Sequence, residues 1–419
     1  MKNPLEKFDV VVIGGGPAGM MAAGRAAELG ARVALLEKNH SLGKKLLITG
    51  KGRCNITQAE FNDKEFIRKL GNKKGKFLFS SLAAFGPATV INFFAAKNLK
   101  TKVEKGGRVF PVANSSVSVL DSLLKYLKDN GVKMIFGAEV RQLEIVQNEI
   151  RSVQLKDAVI YADKFILCTG GKSYPGTGST GDGYKWAKKM GHTIIKPLPA
   201  LVPIKIKESW VKDLQGVSLQ NVEIKVLLGD KKSESRFGEM LFTHFGLSGP
   251  IILSASKRVG ELLENGEVVL AIDLEPTFSR EQLDKKLQKD FQENIHKDFK
   301  NYLPELLPQK MAEAIIKLSG IEAKKKINFI TKPERQKLVD LLKDLRVTAE
   351  DTLGYDQAII TSGGVDLKEI DSKTMQSKKI RNLFFAGEIL DLDGPTGGYN
   401  LQICWSTSYA AGTYAAKKL

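Results

Sequence analysis

Gly14-Gly15-Gly16-Pro17-Ala18-Gly19 lies between an apolar run, Phe8–Ile13, and a small-residue stretch, Pro17–Leu29. This is GxGxxG between a predicted strand and a predicted helix. Gly14 permits a tight turn, Gly16 lets backbone approach a pyrophosphate, and Gly19 allows close strand–helix packing. The phosphates then meet unpaired N–H groups and the positive end of a helix dipole. Glu37 ends the next strand, Arg32–Glu37, about twenty residues on, as an adenosine ribose requires. Its carboxylate can accept from both ribose hydroxyls and would repel a 2′-phosphate. The chemistry predicted is dinucleotide binding through Ile13, Gly14, Gly16, Pro17, Ala18, Gly19 and Glu37.

Three further segments turn the dinucleotide into a flavin. In Gly50–Asn55, GKGRCN, Gly52 brings backbone close to a flat group, Arg53 supplies fixed charge and Asn55 offers donors and an acceptor. Lys44 or Lys45 is a phosphate partner. Cys54 is read as packing, or as a redox thiol lacking a partner cysteine. Phe165–Gly171, FILCTGG, is a buried strand ending in Thr169-Gly170-Gly171. Near the end, LFFA runs into Gly387-Glu388, where a carboxylate can hold ribityl hydroxyls, and Gly397–Leu401 opens a last helix. The N-terminus of that helix, at Gly398, Tyr399, Asn400 and Leu401, suits the negative charge of a reduced flavin. Asp391 and Asp393 read as turn-shaping residues.

Acid–base candidates are few. The histidines are His40, His192, His244 and His296. His192 reads as a helix cap. His244, in LFTHFGLSGP, is a candidate to face a flavin across a cleft, while Tyr174 and Arg108 are candidates for substrate contact.

The elements that position these groups form an interrupted domain. Phe8–Glu37 is a β-α-β unit. Helices are predicted near 64–70, 77–84, 87–97 and 116–130, and a β-meander over 133–168. A glycine loop, 170–183, leads into a helix at 184–190. Pro197, Pro199 and Pro203 punctuate a boundary. The fold class expected is α/β: a Rossmann-like FAD-binding domain, parallel sheet plus β-meander, interrupted by an inserted β-barrel-like domain carrying a small helical subdomain. The boundaries expected are 1–196 and 356–419 for the FAD domain, 197–278 and 345–355 for the β-rich insert, and 279–344 for the helical part. Within the insert, 240–255 reads as mixed strand and glycine turn.

The 419 residues carry 64 Lys+Arg against 47 Asp+Glu, a net charge of +17. The lysines are scattered in pairs and rarely interleaved with aromatics, which speaks for a solvated surface and against a nucleic-acid partner. The three cysteines are far apart with no CxxC pair, so no metal, zinc site or disulfide scaffold is expected. No uninterrupted apolar run is long enough to span a bilayer. No membrane partner and a cytoplasmic location are expected.

Taken together, GGGPAGMMAA, KLLITGKGRCNIT, GGRVFPVAN, FILCTGGKSYPGTGSTGDGY, LFTHFGLSGP, TSGGVDLKEID and FFAGEILDLDGPTGGYNLQ resemble the BaiN-like flavoproteins, also called the aminoacetone oxidase family of FAD-binding enzymes. The likeness runs essentially end to end. It implies a FAD domain similar to that of the fumarate reductase group, an inserted barrel-like unit, and non-covalent FAD. Carried over by motif, the resemblance places Gly14, Gly16, Ala18, Glu37, Lys38, Lys45, Arg53, Cys54, Asn55, Gly170, Gly387, Glu388, Asn400 and Leu401 at the cofactor, and the expected lining includes Val140 as well. The family's names cover amine oxidation and reduction of unsaturated steroid-like ketones.

The function expected is therefore a FAD-dependent oxidoreductase moving hydride between flavin N5 and a small amine or unsaturated or keto compound. NAD(P)H is at most a transient reductant, because no second GxGxxG unit exists to hold it. The alternatives are a flavoprotein acting on RNA, suggested by the charge, and a flavin-binding protein without turnover. The sequence leaves oligomeric state open.

Overall fold

The protein is described by a computed structural model covering residues 3–4 and 7–417. The chain divides into two units: residues up to Leu198 together with those from Ile359 onward, and Pro199–Ala358. Each has its own apolar core.

The first unit is built on a mixed sheet. Besides a two-residue strand, Asn3–Pro4, its strands are β1 (Phe8–Ile13), β2 (Val33–Glu37), β3 (Lys133–Phe136), β4 (Gln142–Val146), β5 (Glu149–Gln154), β6 (Ala158–Leu167) and β7 (Leu383–Phe385). The spatial order is β3-β2-β1-β6-β5-β4, and β7 also pairs with β6. β1, β2 and β3 run parallel, with Val10 opposite Val33 and Leu36 opposite Ile135. Val10, Val11, Val12, Ala34 and Leu35 are fully buried, as strands covered on both faces require. Four helices matter to the site: α1 (Pro17–Glu28), α2 (Lys44–Ile48), α3 (Asp182–Lys189) and α4 (Tyr399–Ala415). α1 and α4 pack together, and a Cβ added at Gly412 would lie 2.5 Å from the Ala22 carbonyl oxygen.

Residues 133–168 are not one meander. Only β4–β5–β6 is antiparallel. Lys133–Phe136 follows the helix Ser116–Asp129 and lies parallel to β2, because a strand–helix–strand crossover returns the chain in the same direction. β6 outgrows its hairpin as well. Val159–Tyr161 pairs antiparallel with β5, whereas Phe165–Leu167 lies parallel between β1 and β7. The site-bearing Thr169-Gly170-Gly171 therefore leaves the same sheet edge as Gly14.

In the second unit six strands close a barrel, in the order Ile204–Ile206, Gly246–Ser248, Lys231–Thr243, Ser218–Leu228, Val268–Asp273 and Leu345–Thr352. Between the last two stand helices including Arg280–Glu293, Gln309–Ser319 and Lys332–Lys343. Capping boxes at Ser279/Gln282 and Thr331/Glu334 start two of them. The segment 240–255 is strand and turn as expected as far as Gly249, with strands ending at Thr243 and Ser248, but differs from there on: Pro250–Leu263 is a helix. Ile251, Ile252, Ala255, Ser256, Val259 and Leu262 recur at helical spacing and are buried along one face, so period decides over local β propensity.

Candidate functional site

The dinucleotide cradle is formed where β1 meets α1. Gly14 has φ 105°, and a Cβ there would lie 2.5 Å from the Cys168 carbonyl oxygen. A Cβ at Gly19 would come within 1.7 Å of the Gly14 carbonyl oxygen, so these two glycines are required by packing. Gly16 is different: a Cβ there meets nothing within 4 Å, leaving open space at the start of α1. Glu37 is buried. Its Oε2 accepts from Gly15 N–H at 2.8 Å, and its Oε1 accepts from Asn39 backbone N–H and Nδ2, each at 2.7 Å. The Ala138 N–H donates to the Glu37 carbonyl at 2.9 Å, which brings the half-buried Val140 segment alongside. Lys38 turns away to Thr180 Oγ1 (2.6 Å) and Asp182 Oδ2 (3.0 Å). Burial acts to raise the Asp182 carboxyl, but hydrogen bonds from Thr180, Lys38 and Lys185 outweigh it and bring it down to about 2.

A second cluster joins distant motifs. Lys45 Nζ, on α2, donates to Ser173 Oγ at 2.5 Å and to Glu388 Oε2 at 2.9 Å. Glu388 Oε1 accepts from Ser173 Oγ at 3.0 Å and Thr361 N–H at 2.7 Å. Thr361 Oγ1 in turn accepts from the Lys172 and Ser173 N–H groups. A Cβ at Gly171 would lie 2.4 Å from Thr361 Oγ1. Gly170 has φ 70° and Tyr174 has φ 50°; for the non-glycine Tyr174 that is a strained backbone of the kind that gathers at functional sites. Ser173 and Thr361 lie in two of the segments that carry the family resemblance but were not singled out from the sequence, because their roles exist only where strand ends converge.

GKGRCN forms a tight coil in which Gly50, Lys51, Gly52 and Cys54 all have positive φ. Arg53 is drawn into structure: its guanidinium pairs with Glu104, bonds Asn114 Oδ1 at 2.9 Å and stacks 4.0 Å from the Phe110 ring centroid. Cys54 is fully buried, and burial pushes its thiol up to about 12 against a smaller opposing hydrogen bond with Thr49. It is a packed thiol, not a thiolate at neutral pH.

At the far end, Gly387 N–H donates to Thr407 Oγ1 at 3.0 Å, and a Cβ at Gly387 would lie 2.7 Å from that of Ala18. Gly398 has φ 101°, and its added Cβ would strike the Thr57 carbonyl at 2.4 Å. Tyr399 begins α4 and is buried, with its ring centroid 4.8 Å from that of Phe66. Asn400 accepts from Gly394 N–H and donates to the Gly394 and Pro395 carbonyls, so it holds the preceding loop in shape. Leu401 packs on the core. Thr57 Oγ1 donates to Gln402 Oε1 at 2.5 Å, fixing α4 to the segment after GKGRCN.

Other candidates lie elsewhere. Lys74 Nζ bridges Asp391 Oδ1 (2.5 Å) and Asp393 Oδ1 (3.1 Å), and Ser362 Oγ also donates to Asp393. Arg108 is exposed. His192 N–H donates to the Ala187 carbonyl behind α3, and its ring is buried between Glu369 Oε2 (3.1 Å) and Ser377 Oγ (2.9 Å). His244 is exposed at the tip of a two-residue hairpin in the second unit, its ring edge-on to Phe245.

The cradle fits FAD on its own observations. Asn55 Oδ1 and Thr169 Oγ1 are two of five buried side-chain oxygens without a hydrogen-bond partner among the described residues, and these two belong to motifs expected at the cofactor. A Cβ at Gly16 would meet nothing within 4 Å, which leaves room for a phosphate at the start of α1, and the Glu37 carboxylate lies beside that space, bonded to the Gly15 N–H.

Residues 8–414 match the family described as HI0933-like protein Rossmann domain. The chain is 32% identical over 417 residues, 97% of its length and 98% of the relative's, to the 3-dehydro-bile acid delta(4,6)-reductase of Clostridium scindens. It is 33% identical over 405 residues, 96% of both chains, to the ribosomal RNA dihydrouridine synthase of Haemophilus influenzae. Among solved structures, a flavocytochrome c3 fumarate reductase aligns over 99% of this chain and 79% of its own, with TM-score 0.53 and 17% identity, a likeness of fold.

Proposed function

The chain belongs to the HI0933-like Rossmann family and is a FAD-dependent oxidoreductase, and from this we propose that it reduces a carbon–carbon double bond conjugated to a carbonyl. The reading rests on one observation: two relatives similar over their whole length are named for reactions on different molecules that share this chemistry. A 3-dehydro bile acid unsaturated at delta(4,6) is a conjugated ketone. Dihydrouridine is uracil saturated at a double bond conjugated to a ring carbonyl. FAD, when bound, supplies the hydride for the carbon β to the carbonyl.

This chain's residues do the remainder. Gly14–Gly19 and the N-terminus of α1 hold the pyrophosphate, and Glu37 receives the adenosine ribose. Asn55 and Thr169 supply their unpaired oxygens to the cofactor, and the Lys45–Ser173–Glu388 chain fixes the loops around its ribityl portion. The start of α4 at Gly398–Leu401 favours negative charge on the reduced ring. Tyr174, half-buried in its left-handed conformation next to Ser173, donates the proton to the carbon α to the carbonyl. NADH or NADPH serves as transient reductant.

The test is anaerobic reoxidation of dithionite-reduced holoenzyme. A 3-oxo-4-ene steroid acid or another conjugated ketone is expected to restore the oxidised flavin spectrum and gain two hydrogens, while the saturated ketone does neither. Reoxidation by none of the conjugated carbonyls, RNA included, rejects the proposal. A second reading, reduction of uridine within RNA, is favoured by the net charge of +17 together with the Haemophilus influenzae relative. It requires uridine-containing RNA to reoxidise the flavin, with binding that weakens steeply as salt rises.

A further inference from the structure

Away from the cradle, the first unit carries a cavity of about 280 Å³ between β4 and the C-terminal half of α3. Leu143, Ile145, Trp186 and Met190 make an apolar lining, and Arg141, Gln142 and Lys189 add polar groups. No acidic side chain lines it. Glu144, which interrupts the β4 run, is committed to the neighbouring strand, accepting from Ser152 Oγ at 2.6 Å. Among the described residues, the Arg141 guanidinium, the Lys189 ammonium and the Trp186 indole N–H have neither a hydrogen bond nor an ion pair. Lys38, Lys45, Arg53 and Lys74, by contrast, are each paired with a carboxylate. Here two cations and an indole N–H border one apolar hollow with no counter-charge.

The size and chemistry choose the occupant. The volume suits one small ring system and not a folded partner. A half-buried indole beside aliphatic side chains is a stacking surface, and every nucleobase offers a π-face to it. The two cations at the rim, Arg141 and Lys189, are exposed and free to meet an anion, and arginine in particular matches the forked oxygens of a phosphate. We propose that this cavity binds a nucleotide unit, with its base on Trp186 and its phosphate between Arg141 and Lys189. The unit is either a free nucleoside monophosphate or one nucleotide of an RNA strand. The proposal is independent of the reductase reaction, since none of these residues belongs to the FAD cradle. It gives the positive net charge a defined landing place that lysine spacing in the sequence did not reveal.

The test uses FAD-loaded protein and two probes: UMP by calorimetry and a short fluorescent oligouridylate by anisotropy. The variants are Trp186→Leu and the double variant Arg141→Ala/Lys189→Ala, with FAD content and melting temperature checked against the parent. Each variant is expected to weaken binding by about tenfold or more, and the double variant also to flatten the salt dependence. Binding of UMP identifies a free nucleotide as ligand, and binding of the oligouridylate alone identifies an RNA strand. Nucleotide held in the reductase site instead would be indifferent to both variants. Absence of binding by either probe, or binding that neither variant alters, overturns the proposal.

Discussion

Lys45 Nζ lies 2.9 Å from Glu388 Oε2, although 343 residues separate them. The pair ties α2 to the turn after β7, and Ser173 Oγ touches both partners. Both side chains are largely withdrawn from water, at 19% and 17% exposure. One bond network thus clamps three motifs that the sequence presents as unrelated loops.

Removing one member of this clamp leaves the other without its counter-charge in a partly dry site. Lys45→Met is expected to destabilise the protein by about 1–3 kcal/mol, less than the full cost of breaking a wholly buried pair. The double variant Lys45→Met/Glu388→Gln should recover part of the loss. Chemical denaturation of the four proteins in the cycle measures the coupling, and simple additivity would show that the pair contributes nothing.

The cradle glycines should separate binding from folding. Gly16 has ordinary extended φ of −77° and open space at its Cβ, so Gly16→Val is expected to fold, with the valine filling the volume a pyrophosphate needs. It should purify colourless with a normal far-UV spectrum. Gly19→Ala, by contrast, drives a methyl into the Gly14 carbonyl and should cost at least about 1–3 kcal/mol of stability by overpacking. A yellow Gly16→Val protein would refute this assignment of the cradle.

Tyr174→Phe should retain FAD and keep its spectrum while lowering the rate of flavin reoxidation by a conjugated ketone about 10²-fold or more, the usual effect of losing a positioned acid. An unchanged rate removes Tyr174 as the proton donor.

Two buried thiols, Cys54 and Cys168, and the half-buried Cys404 predict an alkaline limit. Burial raises Cys54 and Cys404 to about 12 and raises Cys168 also. Above the ordinary thiol value the unfolded chain has lost protons that the native state keeps. Stability therefore falls as pH rises, by about 1.4 kcal/mol per pH unit for each such thiol. Melting temperatures between pH 8 and 10.5 should drop, and Cys54→Ala should reduce the slope while leaving turnover intact. Loss of turnover would restore a redox role to Cys54.

His192 sets a matching acid limit. Burial lowers its pKa below the ordinary value, while Glu369 acts in the opposite direction. Below about pH 6.5 the unfolded chain takes up a proton that the native imidazole refuses, so stability falls with falling pH by up to about 1.4 kcal/mol per unit. His192→Gln should flatten the stability profile between pH 5 and 6.5, read by urea denaturation. An unaltered profile would place the acid sensitivity elsewhere.

The glycine motifs were legible because they are local: strand, turn and helix follow one another in the chain, and Gly19 is demanded by the Gly14 carbonyl five residues before it, although Gly14 itself is demanded by the distant Cys168 carbonyl. The GKGRCN coil was legible as a loop for the same reason, although its arginine was not. Arg53 reads as a free cation in one dimension and is spent on Glu104 and Phe110 in three. The helix Pro250–Leu263 escaped notice because its glycine-rich approach imitates a turn.

The sequence by itself determined the cofactor class, since GxGxxG and the terminal Gly397–Leu401 act through backbone geometry and Glu37 through a carboxylate at the end of the next strand, all of which short segments specify. Tertiary structure alone decided which charges are free. Lys44 and Lys45 read as alternative phosphate partners, yet Lys44 is turned to Asn39 and Lys45 to Glu388, while among the described residues Arg141 and Lys189, carrying no motif at all, stand unpaired beside Trp186. Charge pairing depends on distances between residues hundreds of positions apart, and only the folded sheet fixes those distances.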